Sequence, residues 1–462
     1  MRSVFQISLY VVFVVTTGGA SLAAPPNVIV FYTDDMGSGD LSCYGATDIA
    51  TPNIDALAAS GMRFTSYYAP APLCSPSRAA MLTGRYPTRA GHPSTKNIAS
   101  GLNQPGLPSR EITIAELVRT RGYATAVFGK WHLGSTPECQ PNSQGFDLFV
   151  GHHASCVDPV SHWYYATEPY YHDLYRNRDE IFEDGVHMTD LVTRETLAFI
   201  DQHREKPFFI YVAYNTPHYP MVAHGRYMKK YAHLPRARQL VAALVAGIDD
   251  SVGQIMTRLR ERDLLDRTLV FFASDNGAPN ASMRGEGGGS NAPYREYKRS
   301  LFEGGIRVPG MVSWPGVVPA GAVCDQPVIG MDIFATVADA TGAELPKDRI
   351  IDGRSWLPLF KDPTRPIHEA LFFEWQGQHA VRAGRWKLVE NGLIDMHLSR
   401  TNRATGEDVV FLADVTADPG EGRNLRAVHA VRAEELRRLH AEWRNGIASD
   451  PTASEDAISS TP

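Results

Sequence analysis

Two pairs of oxygen-bearing residues in this chain, Asp34-Asp35 and Asp275-Asn276, could bind a metal ion. Carboxylates that lie close together repel one another, and a bound cation removes that repulsion. Ligand sets made only of oxygen atoms favour Ca²⁺ or Mg²⁺, whereas zinc sites usually include His or Cys. Each pair taken alone is better explained as two caps at a strand end. Because both pairs follow strands of the same pattern, the sequence predicts that they form one metal site.

A second group of residues supplies positive charge and proton donors, at Arg78, Lys130, His132, His218 and Lys298. An Arg fork and Lys point charges suit a tetrahedral oxyanion, and His132 and His218 could act as acid and base near neutral pH. Taken singly, a lysine is more often a solvated surface residue, and a histidine a strand-end residue with satisfied hydrogen bonds. The assignment of Lys298 is the least specific, because Arg295 and Arg299 are its neighbours.

Cys74 begins a segment, CSPSRAAMLTGR, that has the pattern of a short helix. Pro76 suits the first helical turn because it lacks an N–H that would have no partner there, and Gly84 can end the helix. A cysteine at a helix N-terminus beside Arg78 would have a lowered pKa. A buried structural cysteine is the alternative, and these local features favour the two interpretations equally.

Buried strands are predicted to carry these residues. The apolar runs that predict them are residues 27–32, 123–128, 208–214 and Thr268–Ser274, and helical patterns lie between them. Such alternation predicts an α/β fold with a mixed, mostly parallel sheet and helices on both faces. Each run ends in one of the polar clusters: Asp34-Asp35, Lys130-Trp131-His132, Thr216-Pro217-His218 or Asp275-Asn276. Ligands bind at the carboxyl ends of strands in such sheets, so we expect the clusters to converge.

The 462 residues have an ordinary globular composition, 43% hydrophobic and 21% charged. A net charge of −6 does not suggest a nucleic-acid-binding protein, which needs a basic face, and we expect no nucleic-acid partner. The composition changes at residues 361–366, after a strand predicted over 306–314. Alternating runs there predict a small antiparallel sheet with one closing helix over 428–447. The predicted domains are therefore 24–365, catalytic, and 366–448, C-terminal, followed by a disordered tail over 449–462.

Residues 1–23 have the features of a signal peptide, with Arg2 before an apolar run and small residues at the cleavage site. The apolar run is short for a membrane span, so we expect an exported, periplasmic or extracellular protein without stable membrane insertion. An uncleaved anchor is the alternative. The chain has five cysteines, Cys43, Cys74, Cys139, Cys156 and Cys324. With Cys74 set aside, the other four could pair or stay free, and Cys139–Cys156 is the first candidate bridge.

The segment Cys74-Ser75-Pro76-Ser77-Arg78, continued by Leu82-Thr83-Gly84-Arg85, resembles the signature of type I sulfatases. Resemblance extends over nearly the whole mature chain, through Asp34-Asp35, Thr51-Pro52-Asn53-Ile54-Asp55, Gly129-Lys130-Trp131-His132-Leu133-Gly134, Thr216-Pro217-His218, Ser274-Asp275-Asn276-Gly277, Glu303-Gly304-Gly305-Ile306-Arg307-Val308-Pro309, Ala380-Val381-Arg382, Trp386-Lys387-Leu388 and Asp418-Pro419-Gly420-Glu421. It implies an alkaline-phosphatase-like fold and a sulfuric ester hydrolase.

The resemblance also implies roles for the candidate residues. A separate formylglycine-generating or sulfatase-maturating enzyme would oxidise Cys74 to Cα-formylglycine (3-oxoalanine). Residue 74 and the two oxygen-rich pairs would hold one Ca²⁺, namely Asp34, Asp35, Cys74, Asp275 and Asn276. The hydrated aldehyde would attack sulfur, His218 with Lys298 would protonate the leaving alcohol, and His132 would help the second hydroxyl to expel sulfate. Arg78 and Lys130 would neutralise the sulfuryl oxygens. Arg299 follows Lys298 where the family usually has a small residue, which weakens that assignment.

The substrate is indicated by shorter motifs. Glu286-Gly287-Gly288-Gly289-Ser290-Asn291-Ala292-Pro293 is similar to the N-acetylgalactosamine-6-sulfatase branch, and the loop 151–156 is loosely similar. This implies a galactose- or N-acetylgalactosamine-type 6-sulfate of a sulfated carbohydrate. His152, His153 and His162 are candidate sugar contacts, with plain loop packing as the alternative. An arylsulfatase, a phosphonate or phosphate ester hydrolase and a non-catalytic glycan-binding protein are the competing functions.

Overall fold

A ten-stranded sheet with helices on both faces forms the centre of the molecule. The structure, a computed structural model, describes residues 25–91, 97–280, 287–394 and 401–453. The predicted signal peptide and Glu286 of the glycine-rich motif lie outside the described residues.

The strands are β1 (Asn27–Asp34), β2 (Met62–Phe64), β3 (Tyr67–Tyr68), β4 (Ala124–Lys130), β5 (Leu148–His152), β6 (Trp163–Tyr164), β7 (Tyr171–His172), β8 (Tyr175–Arg176), β9 (Asp179–Glu180), β10 (Phe208–Pro217), β11 (Thr268–Ser274), β12 (Gly310–Ser313), β13 (Ala322–Cys324), β14 (Val328–Ile329), β15 (Leu371–Trp375), β16 (Gln378–Ala383), β17 (Trp386–Glu390) and β18 (Val410–Asp414). The helices are α1 (Pro52–Ala59), α2 (Cys74–Thr83), α3 (Ile114–Arg119), α4 (Met188–Gln202), α5 (Gly225–Lys230), α6 (Arg236–Glu261), α7 (Glu303–Ile306), α8 (Asp332–Thr341), α9 (Leu357–Lys361) and α10 (Ala430–Ala448).

The order of strands across the large sheet is β13-β2-β12-β11-β1-β10-β4-β5-β8-β9. The central strands β11, β1, β10, β4 and β5 are parallel, and the pairs β12–β11, β5–β8 and β8–β9 are antiparallel. The predicted mixed, mostly parallel sheet is therefore confirmed. Every residue of β1 is buried, as expected for a parallel strand that is covered on both faces.

Alternate residues of β1 belong to different cores. Val28 and Val30 pack into the core beneath α2, α3 and α8, and Ile29 and Phe31 pack into the core beneath α4 and α6. Helix α6 is long and apolar enough to cross a membrane, but 67% of its apolar window is buried inside the protein. It is thus a core helix that covers one face of the sheet.

Two predicted features in this region differ from the structure. The strand predicted over 306–314 is present but shorter, as β12 (Gly310–Ser313), and its predicted first residue, Ile306, is the last residue of the short helix α7. Glu303 and Arg307 form an i,i+4 ion pair across that helix. The pair stabilises the helical turn, and a prediction made from runs of apolar residues does not detect it. The expected Cys139–Cys156 bridge is wrong, because all five cysteines are free. The Cys139 thiol donates to the Leu107 carbonyl, at 3.4 Å, whereas Cys156 packs into the core beneath α4 and α6.

The C-terminal part contains the predicted antiparallel sheet, in the order β15-β16-β17-β18, with α10 packed against it. Its first strand begins at Leu371, inside the C-terminal part predicted over 366–448. The tail predicted from residue 449 is ordered at its start. Asp450 is buried and pairs with Arg89 at 2.6 Å and Arg85 at 3.4 Å. Residues 454–462 of the predicted tail lie outside the described residues.

A buried ionic cluster joins the C-terminal sheet to the catalytic part. Lys387 Nζ lies 2.9 Å from Glu303 Oε1 and 3.1 Å from Glu421 Oε1, and all three side chains are fully buried or nearly so. Although burial raises the pKa of Glu303, Lys387 and Arg307 hold it at about 2. Burial and the charge of Glu303 raise the pKa of Glu421 to about 7, against the opposing effect of Lys387. Lys387 thus forms ion pairs with both Glu303 and Glu421, and the two carboxylates repel each other.

Candidate active site

The carboxyl ends of four parallel strands bring the predicted polar clusters together. Asp34 is the last residue of β1, Lys130 the last of β4, Pro217 the last of β10, and Asp275 follows β11 directly. The side chains of Asp34, Asp35, Cys74 and His218 offer ligand atoms that all lie within 4.8 Å of one another. The predicted convergence at one edge of the sheet is therefore what the structure has.

The turns after these strands require unusual backbone. Asp35 and His132 have φ values of +68° and +53°, in the left-handed region that residues other than glycine rarely adopt. Such residues cost on the order of 1–3 kcal/mol and persist where the surrounding structure holds them. Gly129, with φ +105°, has no room for a side chain, because a Cβ would lie 2.0 Å from the Ala213 carbonyl oxygen. Gly129 therefore lets β4 approach β10 immediately before Lys130.

Helix α2 begins at Cys74 and its last residue is Thr83, and Gly84 caps its C-terminus, as predicted. Inside the helix, the Ser77 hydroxyl donates to the carbonyl of Ala71 at 2.8 Å. Because Ala71 precedes the helix, this bond fixes how the chain enters it. Cys74 is only 2% exposed. Burial raises the pKa of its thiol, and Asp34 and Asp275 raise it further, against the opposing charges of Lys130 and Lys298. The lowered thiol pKa expected from the helix N-terminus is thus wrong, and an unmodified Cys74 would be a poor nucleophile at neutral pH.

Three buried cations face three buried carboxylates around Cys74. Lys130 Nζ lies 2.7 Å from Asp34 Oδ2, Arg78 Nη2 lies 2.8 Å from Asp275 Oδ2, and Lys298 Nζ lies 2.8 Å from Asp35 Oδ2. The structure also separates Lys298 from its basic neighbour Arg295, whose guanidinium donates to the Glu421 carbonyl and stacks on the Phe302 ring. The main chain of the Lys298 loop is held on both sides of the site, because Lys298 N donates to Ala278 O and Arg299 N to Pro72 O.

The oxygen-rich residues fit a bound cation. Asp34 Oδ1 and Asn276 Oδ1 are buried and have no hydrogen-bond partner among the described residues. Burial, together with the charge of Asp34, raises the pKa of Asp275 to about 7. Buried polar atoms without partners destabilise the folded protein. Ionised carboxylates as close as those of Asp34 and Asp35, whose ligand atoms lie within 4.8 Å of each other, repel one another. A divalent cation with oxygen ligands would satisfy both the free oxygens and the excess negative charge.

Burial acts against the charged form of both candidate acid–base residues. Burial and the charge of Lys130 hold the pKa of His132 well below its usual value, and burial lowers the pKa of His218. The Ile98 carbonyl can only accept, so His132 donates from Nε2 at 3.1 Å, which leaves Nδ1 free to accept a proton. By the same reasoning His218 donates from Nδ1 to the Tyr219 carbonyl, and its Nε2, 3.6 Å from Asp35 Oδ2, faces the site.

A model of the family described as "Sulfatase" matches residues 26–343, and one described as "N-sulphoglucosamine sulphohydrolase, C-terminal" matches residues 295–444. The chain belongs to the sulfatase family. It is a sulfuric ester hydrolase.

Individual relatives agree with this assignment. The sulfatase is similar to the human N-acetylgalactosamine-6-sulfatase, 36% identical over 452 residues, which cover 91% of this chain and 85% of the relative. It is also similar to human arylsulfatase A, 33% identical over 88% of this chain and 84% of the relative. Among solved structures, Ps i-CgsB in complex with k-i-k-neocarrahexaose is 30% identical with a TM-score of 0.82, covering 91% of this chain and 92% of that one.

One partner of Arg78 in the sulfatase site escapes sequence analysis. The Tyr211 hydroxyl accepts from Arg78 Nη1 at 3.1 Å, and the guanidinium carbon lies 5.6 Å from the centre of the Tyr32 ring. Both tyrosines lie inside buried strands, where their pattern is that of core residues. The sequence contains no signal that would have distinguished them.

The three histidines predicted as sugar contacts have partners inside the protein. His152 is fully buried beside Lys130, and its Nδ1 lies 3.1 Å from the Ala154 carbonyl oxygen. Burial lowers the pKa of His152 to about 3. His153 Nδ1 lies 3.5 Å from Asp173 Oδ1, and His162 Nε2 donates to the Val186 carbonyl at 3.1 Å. Their role in binding a sugar stays a prediction.

Proposed function

We propose that this sulfatase hydrolyses the 6-sulfate ester of a galactose- or N-acetylgalactosamine-type residue in a sulfated glycan. The observation that carries sulfate-ester hydrolysis is the set of buried cations around residue 74: Arg78, Lys130 and Lys298. Fixed positive charge in a water-poor site stabilises the oxyanion that develops as sulfur is attacked. The galacto-type substrate is supported by the similarity to N-acetylgalactosamine-6-sulfatases and to a structure that holds a neocarrahexaose.

Two groups that this proposal requires are supplied after synthesis. Cys74, oxidised to formylglycine by a maturation enzyme, would supply a geminal-diol hydroxyl as the nucleophile. Asp34, Asp35, Asp275 and Asn276 would hold one Ca²⁺, whose charge would act on the oxygens of the sulfate. The two buried carboxyl and amide oxygens without partners support this ligand set.

The remaining work falls to residues of the chain itself. Lys130 and Arg78 hold sulfate oxygens by charge and keep the carboxylates in place through their ion pairs. His132 Nδ1, which has no hydrogen-bond partner among the described residues, accepts the proton of a hydroxyl at residue 74. His218, once protonated at Nε2 as the nearby charges of Asp34 and Asp35 favour, would deliver that proton to the departing sugar oxygen, with Lys298 beside the same Asp35 carboxylate.

The proposal includes export to the periplasm or the extracellular space. The support is the signal-peptide pattern of residues 1–23. In such a compartment the enzyme would have access to sulfated polysaccharides outside the cytoplasm. It would bind Ca²⁺ from the surrounding solution.

Mass spectrometry of the peptide that contains residue 74, taken from the native host, tests the nucleophile. We expect the mass of formylglycine and expect Cys74→Ala to abolish turnover with the thermal midpoint unchanged. An intact thiol in a fully active enzyme would contradict the proposal.

Substrate assays test the ester and the sugar separately. The panel would contain 6-sulfated galactose, 6-sulfated N-acetylgalactosamine, the corresponding 4-sulfates, a neocarrahexaose, an aryl sulfate and an aryl phosphate. We expect the highest kcat/KM on a galacto-configured 6-sulfate. Preference for a 4-sulfate would refute the position, preference for the aryl sulfate would refute the glycan substrate, and preference for the phosphate would indicate a phosphoester hydrolase. Absence of turnover on every substrate by formylglycine-bearing protein would favour the non-catalytic alternative.

A further inference from the structure

Three side chains with metal-binding atoms meet between the C-terminal sheet and α10. Glu374 and His379 are opposite each other in the antiparallel pair β15–β16, and His440 lies on α10. His379 Nδ1 is 3.4 Å and His440 Nε2 is 3.3 Å from the same atom, Glu374 Oε1. All three atoms lie within 4.8 Å of one another. None of these residues belongs to the sulfatase active site.

The place of His440 on α10 is unusual. The face of α10 that packs on the sheet carries buried or partly buried apolar side chains, with Ala433 and Leu436 before His440 and Trp443 after it. Helical spacing would place another apolar residue at position 440. The His440 ring instead lies with its centre 4.9 Å from that of His379 and 5.4 Å from that of Trp443. A polar ring in such an interface is costly unless something binds it.

The converging atoms have no hydrogen-bond partner outside the cluster. Glu374 Oε1, His379 Nδ1 and His440 Nε2 are each buried, and among the described residues they face only one another. The Glu374 side chain is 5% exposed. Its other oxygen, Oε2, accepts from Arg444 Nη1 at 2.8 Å. Arg444 therefore orients the carboxylate so that Oε1 points at both imidazoles.

We propose that Glu374, His379 and His440 form a zinc site. Zinc bonds of 2.0–2.1 Å in a tetrahedron place ligand atoms about 3.3–3.4 Å apart, which are the two distances to Glu374 Oε1. Two imidazoles and one carboxylate are a zinc ligand set, whereas Ca²⁺ takes oxygen ligands. A water molecule would complete the tetrahedron as the fourth ligand.

The site would act as a link between two elements that are distant in sequence. One ion would join the β15–β16 hairpin to α10. Because metal binds the folded chain and not the unfolded one, its binding free energy adds to stability. The alternative is an ion cluster in which protonated histidines pair with Glu374 and no metal binds.

Zinc titration of the Ca²⁺-saturated, otherwise metal-free enzyme distinguishes these cases. Isothermal calorimetry would compare the wild type with His379→Gln, on the exposed side of the cluster, and with His440→Gln. His429→Ala, at the exposed N-terminal boundary of α10, is the matched control. We expect one more equivalent of Zn²⁺ bound by the wild type and the control than by either variant, or an affinity at least about 10-fold higher. We also expect a zinc-dependent rise of the thermal midpoint that both variants lose.

X-ray absorption at the zinc edge supplies the ligand set, and sulfatase activity without zinc shows that the variants are folded. Two imidazoles and one carboxylate in the wild type would support the site. Equal zinc stoichiometry and affinity in the wild type and His379→Gln would overturn it, as would a zinc-bound spectrum without imidazole.

Discussion

Replacing Glu421 by glutamine is expected to change how the stability of this sulfatase depends on pH. Glu421 shares Lys387 with Glu303 inside the buried cluster that joins the two parts of the chain. Its pKa rises from 4.5 to about 7 in the folded state. A carboxyl with a raised pKa binds its proton more tightly when folded, so the stability it contributes is present below about pH 4.5 and is lost as the pH rises through about 7.

The size of the effect follows from the shift. A change of about 2.5 pKa units corresponds to about 3 kcal/mol, at roughly 1.4 kcal/mol per unit, and most of it falls between about pH 5 and pH 8. A glutamine at position 421 can still accept from the Glu303 N–H, as Oε2 does now at 2.6 Å. It carries no proton that titrates in this range, so the glutamine variant should lack this part of the pH dependence.

Thermal unfolding at a series of pH values measures the difference in pH-dependent stability between Glu421→Gln and the wild type. At about 2.1 cal/mol/K per residue, a chain of 462 residues has an unfolding entropy near 1 kcal/mol/K. The midpoint of Glu421→Gln should therefore gain about 3 °C on that of the wild type between about pH 5 and pH 8. Glu435→Gln, an exposed site on α10, should track the wild type. A midpoint difference that stays constant over this range would refute the reasoning.

Three further changes have defined outcomes. Lys298→Met should lower kcat by about 10²–10³, because it removes a fixed charge beside residue 74, and Arg299→Met in the same loop is the control that should retain activity. Asp450→Ala should remove the carboxylate that Arg89 and Arg85 share, while Arg85 keeps Glu111 and Arg89 keeps Asp352, and lower stability by about 1–3 kcal/mol, measured by denaturation; an unchanged midpoint would contradict the pairing. Chelation should abolish turnover and lower the thermal midpoint, since the buried carboxylates lose their cation, and Ca²⁺ should restore both; activity that persists in metal-free protein would refute the oxygen-ligand site.

The sequence predicts where the buried strands lie better than it predicts the residues at which the strands that carry site residues end. Buried strands give continuous apolar runs, so β11 has the predicted bounds at both ends. Strand β4 continues to Lys130 and β10 to Pro217, beyond the predicted ends at 128 and 214. The apolar pattern stops at those positions because the residues there serve the site, while the backbone ladder continues.

The site residues were predictable where two kinds of signal agree. Asp34 and Asp275 are polar residues at strand ends and also lie in family motifs, and the structure brings them together. Tyr211 has neither signal, because a tyrosine inside an apolar strand has the pattern of a core residue. The pKa of the Cys74 thiol was predicted in the wrong direction, since a sequence shows the helix N-terminus but not the depth of burial.

The burial of Cys74 has a consequence for the timing of biogenesis. A maturation enzyme needs the side chain and several flanking residues within its own active site, and the whole of α2 is buried in the folded protein. If Cys74 is oxidised as we propose, the oxidation would have to precede folding, and the two processes would compete for the newly made chain. The loop that carries Lys298 packs against that region, since Arg299 N donates to Pro72 O. Glu303 follows this loop, and its partners Lys387 and Glu421 are synthesised more than 300 residues after Cys74. That long stretch of synthesis provides an interval in which the cysteine is still accessible.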